Sequence, residues 1–111
     1  MEHIKTAQYQ GKAGVIDCAI DWPEANQPIT GWALILHPHP LHGGARNNKV
    51  VTTMSRAATL HGLVALRPDF RGVGASEGEF NHGHGETLDM IEVVQQFQAQ
   101  FSEICSGHFM L

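Results

Sequence analysis

The sequence predicts an α/β fold, with a mostly parallel sheet opened by an antiparallel N-terminal hairpin and flanked by helices. Three observations carry this expectation. Trp32 to Leu36 is continuously apolar, as expected of a strand covered on both faces. Leu63-Val64-Ala65-Leu66 is a second such run, and the chain between the two reads as a helix. Strand, helix, strand at this spacing is a βαβ crossover, which makes the two runs adjacent parallel strands.

Residues 4 to 20 read as two strands broken at Gly11-Lys12-Ala13-Gly14, an antiparallel hairpin. The alternation in Val15-Ile16-Asp17-Cys18-Ala19-Ile20 puts Ile16, Cys18 and Ile20 on one face. Asp21 to Pro28 is a loop by its prolines and polar residues. The first helix spans Asn48 to His61, with Val50, Met54, Ala57 and either Leu60 or His61 near one face, and Gly62 stops it. A second helix runs from about Glu86 to Phe101, with Met90, Val94, Phe97 and Phe101 on the stripe that covers the sheet. There is no internal repeat, low-complexity tract or linker, so residues 1–111 read as part of a single domain.

Composition narrows the function classes. The 111 residues are 42% hydrophobic and 16% charged, which is globular, and a net charge of −4 without a Lys/Arg cluster offers no footprint for nucleic acid. Met1 to Thr6 lacks the apolar core of a signal peptide and no run reaches membrane-spanning length, so a cytoplasmic location with no membrane partner is expected. The two cysteines, Cys18 and Cys105, are then expected as reduced thiols, Cys18 as a small buried hydrophobe.

Both strands of the crossover deliver Gly-rich loops: His37-Pro38-His39-Pro40-Leu41-His42-Gly43-Gly44 after the first, and Asp69-Phe70-Arg71-Gly72-Val73-Gly74-Ala75-Ser76-Glu77-Gly78 after the second. In open α/β sheets, ligands bind beyond such carboxyl ends. Together with the helix entry Asn47-Asn48-Lys49-Val50-Val51, these loops resemble the α/β-hydrolase superfamily, specifically its small bacterial members with an HPHP loop. The resemblance spans roughly residues 30 to 100.

The resemblance implies a serine hydrolase acting on ester or related acyl bonds of a small molecule, with no cofactor and no metal. It also implies that this is the N-terminal part of the fold, truncated before the nucleophile elbow, because no G-x-S-x-G follows the second helix, where the elbow is due. The triad order in this superfamily, nucleophile then acid then histidine, would place the base beyond Leu111 and leaves Asp69 outside the triad. This chain alone is therefore expected to be inactive. One oxyanion donor is expected in the loop after the third strand. Pro38 and Pro40 have no N–H, which leaves His39 or Leu41, and alignment of His37-Pro38 with the family's His-Gly pair selects the backbone of His39. His37, Gly43, Gly44, Asp69, Arg71, Gly72 and Gly74 are expected to support the loops. The resemblance further puts the third strand next to the missing nucleophile strand, so self-association through an exposed strand edge is expected.

Two readings from other classes stand beside this one. The eight histidines admit a metal-dependent hydrolase using His37, His39 and His42, with Leu41 where the comparable signature has Asp. The chain can also be a non-catalytic fragment, in which Cys105-Ser106-Gly107 has too few residues after it to close an elbow.

Overall fold

The computed structural model describes residues 4–38 and 45–104. Strands β1 (Thr6–Gln10) and β2 (Val15–Asp21) form the hairpin, followed by β3 (Gly31–Leu34), helix α1 (Lys49–Leu60), β4 (Leu63–Pro68) and helix α2 (His84–Gln100). A 3₁₀ turn over Ser102–Ile104 follows. The sheet order is β1-β2-β4-β3. β3 and β4 pair in parallel, as the crossover requires, with Gly31 opposite Leu63 and Leu34 opposite Leu66. The other two joints, β1 with β2 and β2 with β4, are antiparallel, so the sheet over these four strands is mixed.

Alternation along each strand divides the interior into two layers. On one side Ile16, Cys18, Ile20, Trp32, Leu34, Val64 and Leu66 meet Met90, Val93, Phe97 and Phe101 of α2 and its end. Trp32 and Phe97 stack at 5.0 Å between ring centroids. The Trp32 indole N–H, wholly buried, has no acceptor among the described residues. On the other side Ala33, Ile35 and Ala65 meet Val51 and Ala58 of α1, and the alanines let that helix approach closely.

The inward face of α1 differs from the sequence expectation. Val51, Ser55 and Ala58 are buried, whereas Val50, Met54, Ala57 and Leu60 are exposed. Periodicity favours the more apolar stripe, but the helix turns by about one residue because Ser55 donates to the Asp21 carboxylate at the end of β2. Asn48 caps the helix by accepting from Val50 N–H at 2.9 Å, and Gly62 ends it at φ 84°. In α2 the stripe also includes Val93, fully buried between the expected positions, while Val94 is half-buried. No helix among the described residues is long and apolar enough to cross a membrane.

Candidate functional site

The parallel pair of strands ends side by side, so the exits of β3 and β4 are neighbours. At the β3 exit His37 is buried, and its Nε2 accepts the Phe70 N–H at 3.0 Å. Its Nδ1 lies 2.8 Å from the Pro38 carbonyl oxygen, which can only accept. The imidazole is therefore the neutral Nδ1–H tautomer with both nitrogens engaged. It also packs on the Phe70 ring at 4.3 Å. His37 thus ties the two exits together, and neither nitrogen is free for a metal ion or for service as a base. Among the described residues no group of three or more metal-ligating side chains occurs.

At the β4 exit, Asp69 receives the Arg46 backbone N–H at 2.8 Å on Oδ1. The Arg46 guanidinium lies 3.5 Å from Asp69 Oδ2 and donates to Asp17 Oδ2 at 2.7 Å. Arg67 donates to the Arg46 carbonyl at 2.7 Å. The chain leaving β3 is therefore fastened at one end by His37 to Phe70 and, where it returns before α1, by Arg46 to Asp69. His39, Gly43 and Gly44, and likewise Leu41 and His42, lie between these fastenings but outside the described residues.

The loop after β4 folds back on the hairpin. Ser76 is buried, its hydroxyl donating to the Asp69 carbonyl at 2.7 Å and accepting the Asp17 N–H at 2.8 Å. Gly72 and Gly74 have φ of 76° and 55°, and a Cβ at Gly74 would sit 2.8 Å from Asp69 Oδ2, so that position needs glycine for both backbone and space. Arg71 turns the other way: its Nε and Nη2 hold Asp89 of α2 at 2.7 and 2.9 Å, and Asp89 also accepts the Lys12 N–H at 2.8 Å. That carboxylate pairing raises the Arg71 pKa against the effect of burial.

Glu86 closes the start of α2 by accepting from Asn81 N–H at 2.7 Å and Gly83 N–H at 3.0 Å. Burial raises its pKa, but backbone N–H groups and the Arg71 charge outweigh it, and the carboxyl is held below its ordinary value. Asp21 follows the same pattern: against burial, hydrogen bonds from Arg67 and Ser55 hold it low. Burial, followed by the neighbouring Asp17 charge, pushes the Cys18 thiol up to about 12, so this cysteine is an inert part of the core.

Beyond the strand ends lies an apolar cavity of about 460 Å³, lined by Leu36, Phe70, Phe80, His82 and Met90 among others. His82 has φ 53° and sets its ring edge-on to Phe80 at 4.9 Å. Arg46, Asp17 and Asp89 were not legible as site-supporting residues. Ser76 carried a signal in its place within the glycine loop. Arg46 carried none, because its partners are separated from it by 23 and 29 positions.

No protein-family model matches the chain. Among curated proteins it is 46% identical over 68 residues to an uncharacterised protein of Rickettsia prowazekii, a match covering 61% of this chain and 29% of that one. Among solved structures, an α/β serine hydrolase homologue from Coxiella burnetii superposes with a TM-score of 0.83 at 37% identity, covering 92% of this chain and 49% of that one. A member of the α/β serine hydrolases without a lid, from Xanthomonas campestris, gives 0.79 at 36%, covering 90% and 47%. The chain thus spans about half the length of the solved structures it matches. The fold, the order of its elements and these similarities place the chain in the α/β-hydrolase superfamily, and it carries about half of that fold.

Proposed function

We propose that the chain is the oxyanion-loop half of a serine hydrolase acting on ester or related acyl bonds of a small molecule. The observation that carries this reading is the fastening of the His37-Pro38 exit of β3 to the β4 exit, at the end of the sheet where ligands of such folds bind. A donor preorganised beside a developing oxyanion works by being held before reaction begins, and a loop fixed at both ends meets that need. His39 is the proposed donor through its backbone N–H. Asp69, Arg71, Gly72 and Gly74 serve by supporting the loops, and the cavity beside Phe70 and Phe80 supplies apolar surface for an acyl chain. The metal-dependent alternative is disfavoured by the two engaged nitrogens of His37.

The G-x-S-x-G at Gly74-Ala75-Ser76-Glu77-Gly78 lies in the loop after β4 and not at a sharp turn from strand to helix. Its serine is buried with the hydroxyl engaged by the Asp69 carbonyl and the Asp17 N–H, so the 111-residue chain by itself is expected to hydrolyse a short-chain nitrophenyl ester no faster than background. The positive test is a chimera in which residues 1–104 replace the matching half of the Coxiella burnetii homologue. Ester turnover and labelling by a serine-directed phosphonate are expected. A folded chimera that does neither, beside an active parent, contradicts the reading.

A further inference from the structure

We propose that His82 is a specificity residue, whose imidazole reads an uncharged hydroxyl on an aromatic acyl group lodged in the cavity beyond the ends of β3 and β4. The inference rests on the reading of that cavity as the acyl site.

Size and lining set the class of occupant. At about 460 Å³ the cavity lies within the range of roughly 300–1,000 Å³ that small-molecule sites occupy. Leu36 at the β3 exit, Phe70 after β4, Phe80 and His82 of the following loop, and Met90 of α2 line it. Phe70 is already held by the His37 ring at 4.3 Å and Phe80 by the His82 ring at 4.9 Å, so the aromatic surface is fixed before a ligand arrives. A flat ring adds edge or face contacts to such a wall that an alkyl chain does not.

The polar groups at its border are already engaged, with one exception. Glu86 accepts the Asn81 N–H on one carboxylate oxygen and the Gly83 N–H on the other, and the Thr87 hydroxyl donates to the Gly83 carbonyl at 2.7 Å. The exception is His82. It is exposed, and among the described residues no hydrogen bond reaches either ring nitrogen. The backbone there is left-handed, with φ 53° at His82 and 90° at Gly83, a conformation uncommon outside glycine that persists where its surroundings enforce it. Glu86 supplies the enforcement, because the two N–H groups it binds flank His82. A polar side chain is thus held at the lip of an apolar cavity.

Charge then selects the polar group of the ligand. No Lys or Arg among the described residues lines the cavity, and Glu86 on its wall is ionised at neutral pH, its carboxyl being held below the ordinary value. A carboxylate on the ligand would meet that charge with no cation on the wall to offset it. An imidazole carries an N–H in either charge state, and a hydroxyl accepts it without bringing a charge.

The test titrates the 111-residue chain with methyl benzoate, methyl meta-hydroxybenzoate and the monomethyl ester of isophthalic acid, followed by NMR. The hydroxylated ester is expected to bind about 3- to 10-fold more tightly than methyl benzoate, as one added hydrogen bond gives, and the acid no more tightly than methyl benzoate. Shifts should centre on the Phe80 and Met90 signals. His82→Phe keeps a ring on Phe80 and removes both nitrogens, so it should erase the preference and leave methyl benzoate bound as before. His82→Gly, which accepts the left-handed backbone without strain, should erase the preference too. A merely structural His82 would move both esters together and keep their ratio. No saturable binding, shifts centred away from Phe80 and Met90, an acid that binds tightest, or a preference that survives His82→Phe each overturns the proposal. Selective binding to this chain, beside a Coxiella burnetii chimera without ester turnover, would sustain the site and count against the catalytic reading alone.

Discussion

His37 shows how one side chain can be decisive without being reactive. Its ring accepts the Phe70 N–H, donates to Pro38 and packs on the Phe70 face, so the residue acts on the geometry of two loops at once. Replacing it with Phe keeps the packing but orphans the Phe70 N–H. We predict a loss of about 1–3 kcal/mol, read as a lowered denaturation midpoint. The neighbouring His39 acts in the proposal through its backbone, which separates side chain from main chain experimentally. In the Coxiella chimera, His39→Pro removes the donor and should cut turnover by about 10²–10³, whereas His39→Ala should cost far less. Equal losses from the two would assign the donor elsewhere.

Between elements, the joints are charged where the layers are not apolar. Asp89 on α2 is fully buried and holds both Arg71 of the β4 exit loop and the Lys12 N–H of the hairpin turn. Asp89→Ala leaves a guanidinium without its counter-charge in a nearly dry site, and a cost of about 3–5 kcal/mol is expected in chemical unfolding. Glu86, at the start of the same helix, gives a pH signature. Its folded-state pKa is lowered, so its stabilisation is complete above the ordinary value of 4.5 and disappears as pH falls through the lower folded value. Glu86→Gln should therefore be less stable than the parent at neutral pH, and the gap should close in acid. A gap that widens below 4.5 would contradict the sign.

At the scale of the whole molecule, two helices and four strands among the described residues build two interior layers, with β3 at one edge of the sheet. An edge strand is a template for pairing, and with Val50, Met54 and Ile91 exposed the 111-residue chain should pair with itself. Light scattering over a concentration series is expected to show mass rising above 12.1 kDa. A monomer throughout, with a cooperative thermal transition, would show that the exposed flanks are tolerated in water.

Much of this architecture was legible because it is encoded locally. The continuous apolar runs at Trp32 and Leu63, the alternation through Cys18 and the stop at Gly62 are each read within a few residues, and the structure has a strand or a helix end at each. The parallel pairing followed from the length of the crossover alone. What sequence could not decide was orientation and company. Two stripes one residue apart compete on α1, and local hydrophobicity favours Val50, Met54 and Ala57. The buried choice, Val51, Ser55 and Ala58, is fixed by a hydroxyl meeting Asp21 from 34 positions away. The polar fastenings share that character: Ser76 reaches Asp17 across 59 positions, and Asp89 reaches Lys12 across 77. Hydrogen bonds and ion pairs act only at contact, and contacts at such separations exist only once the sheet has brought the loops together. The sequence by itself determined the elements and their order, and the tertiary structure decided which faces turn inward and which charges meet.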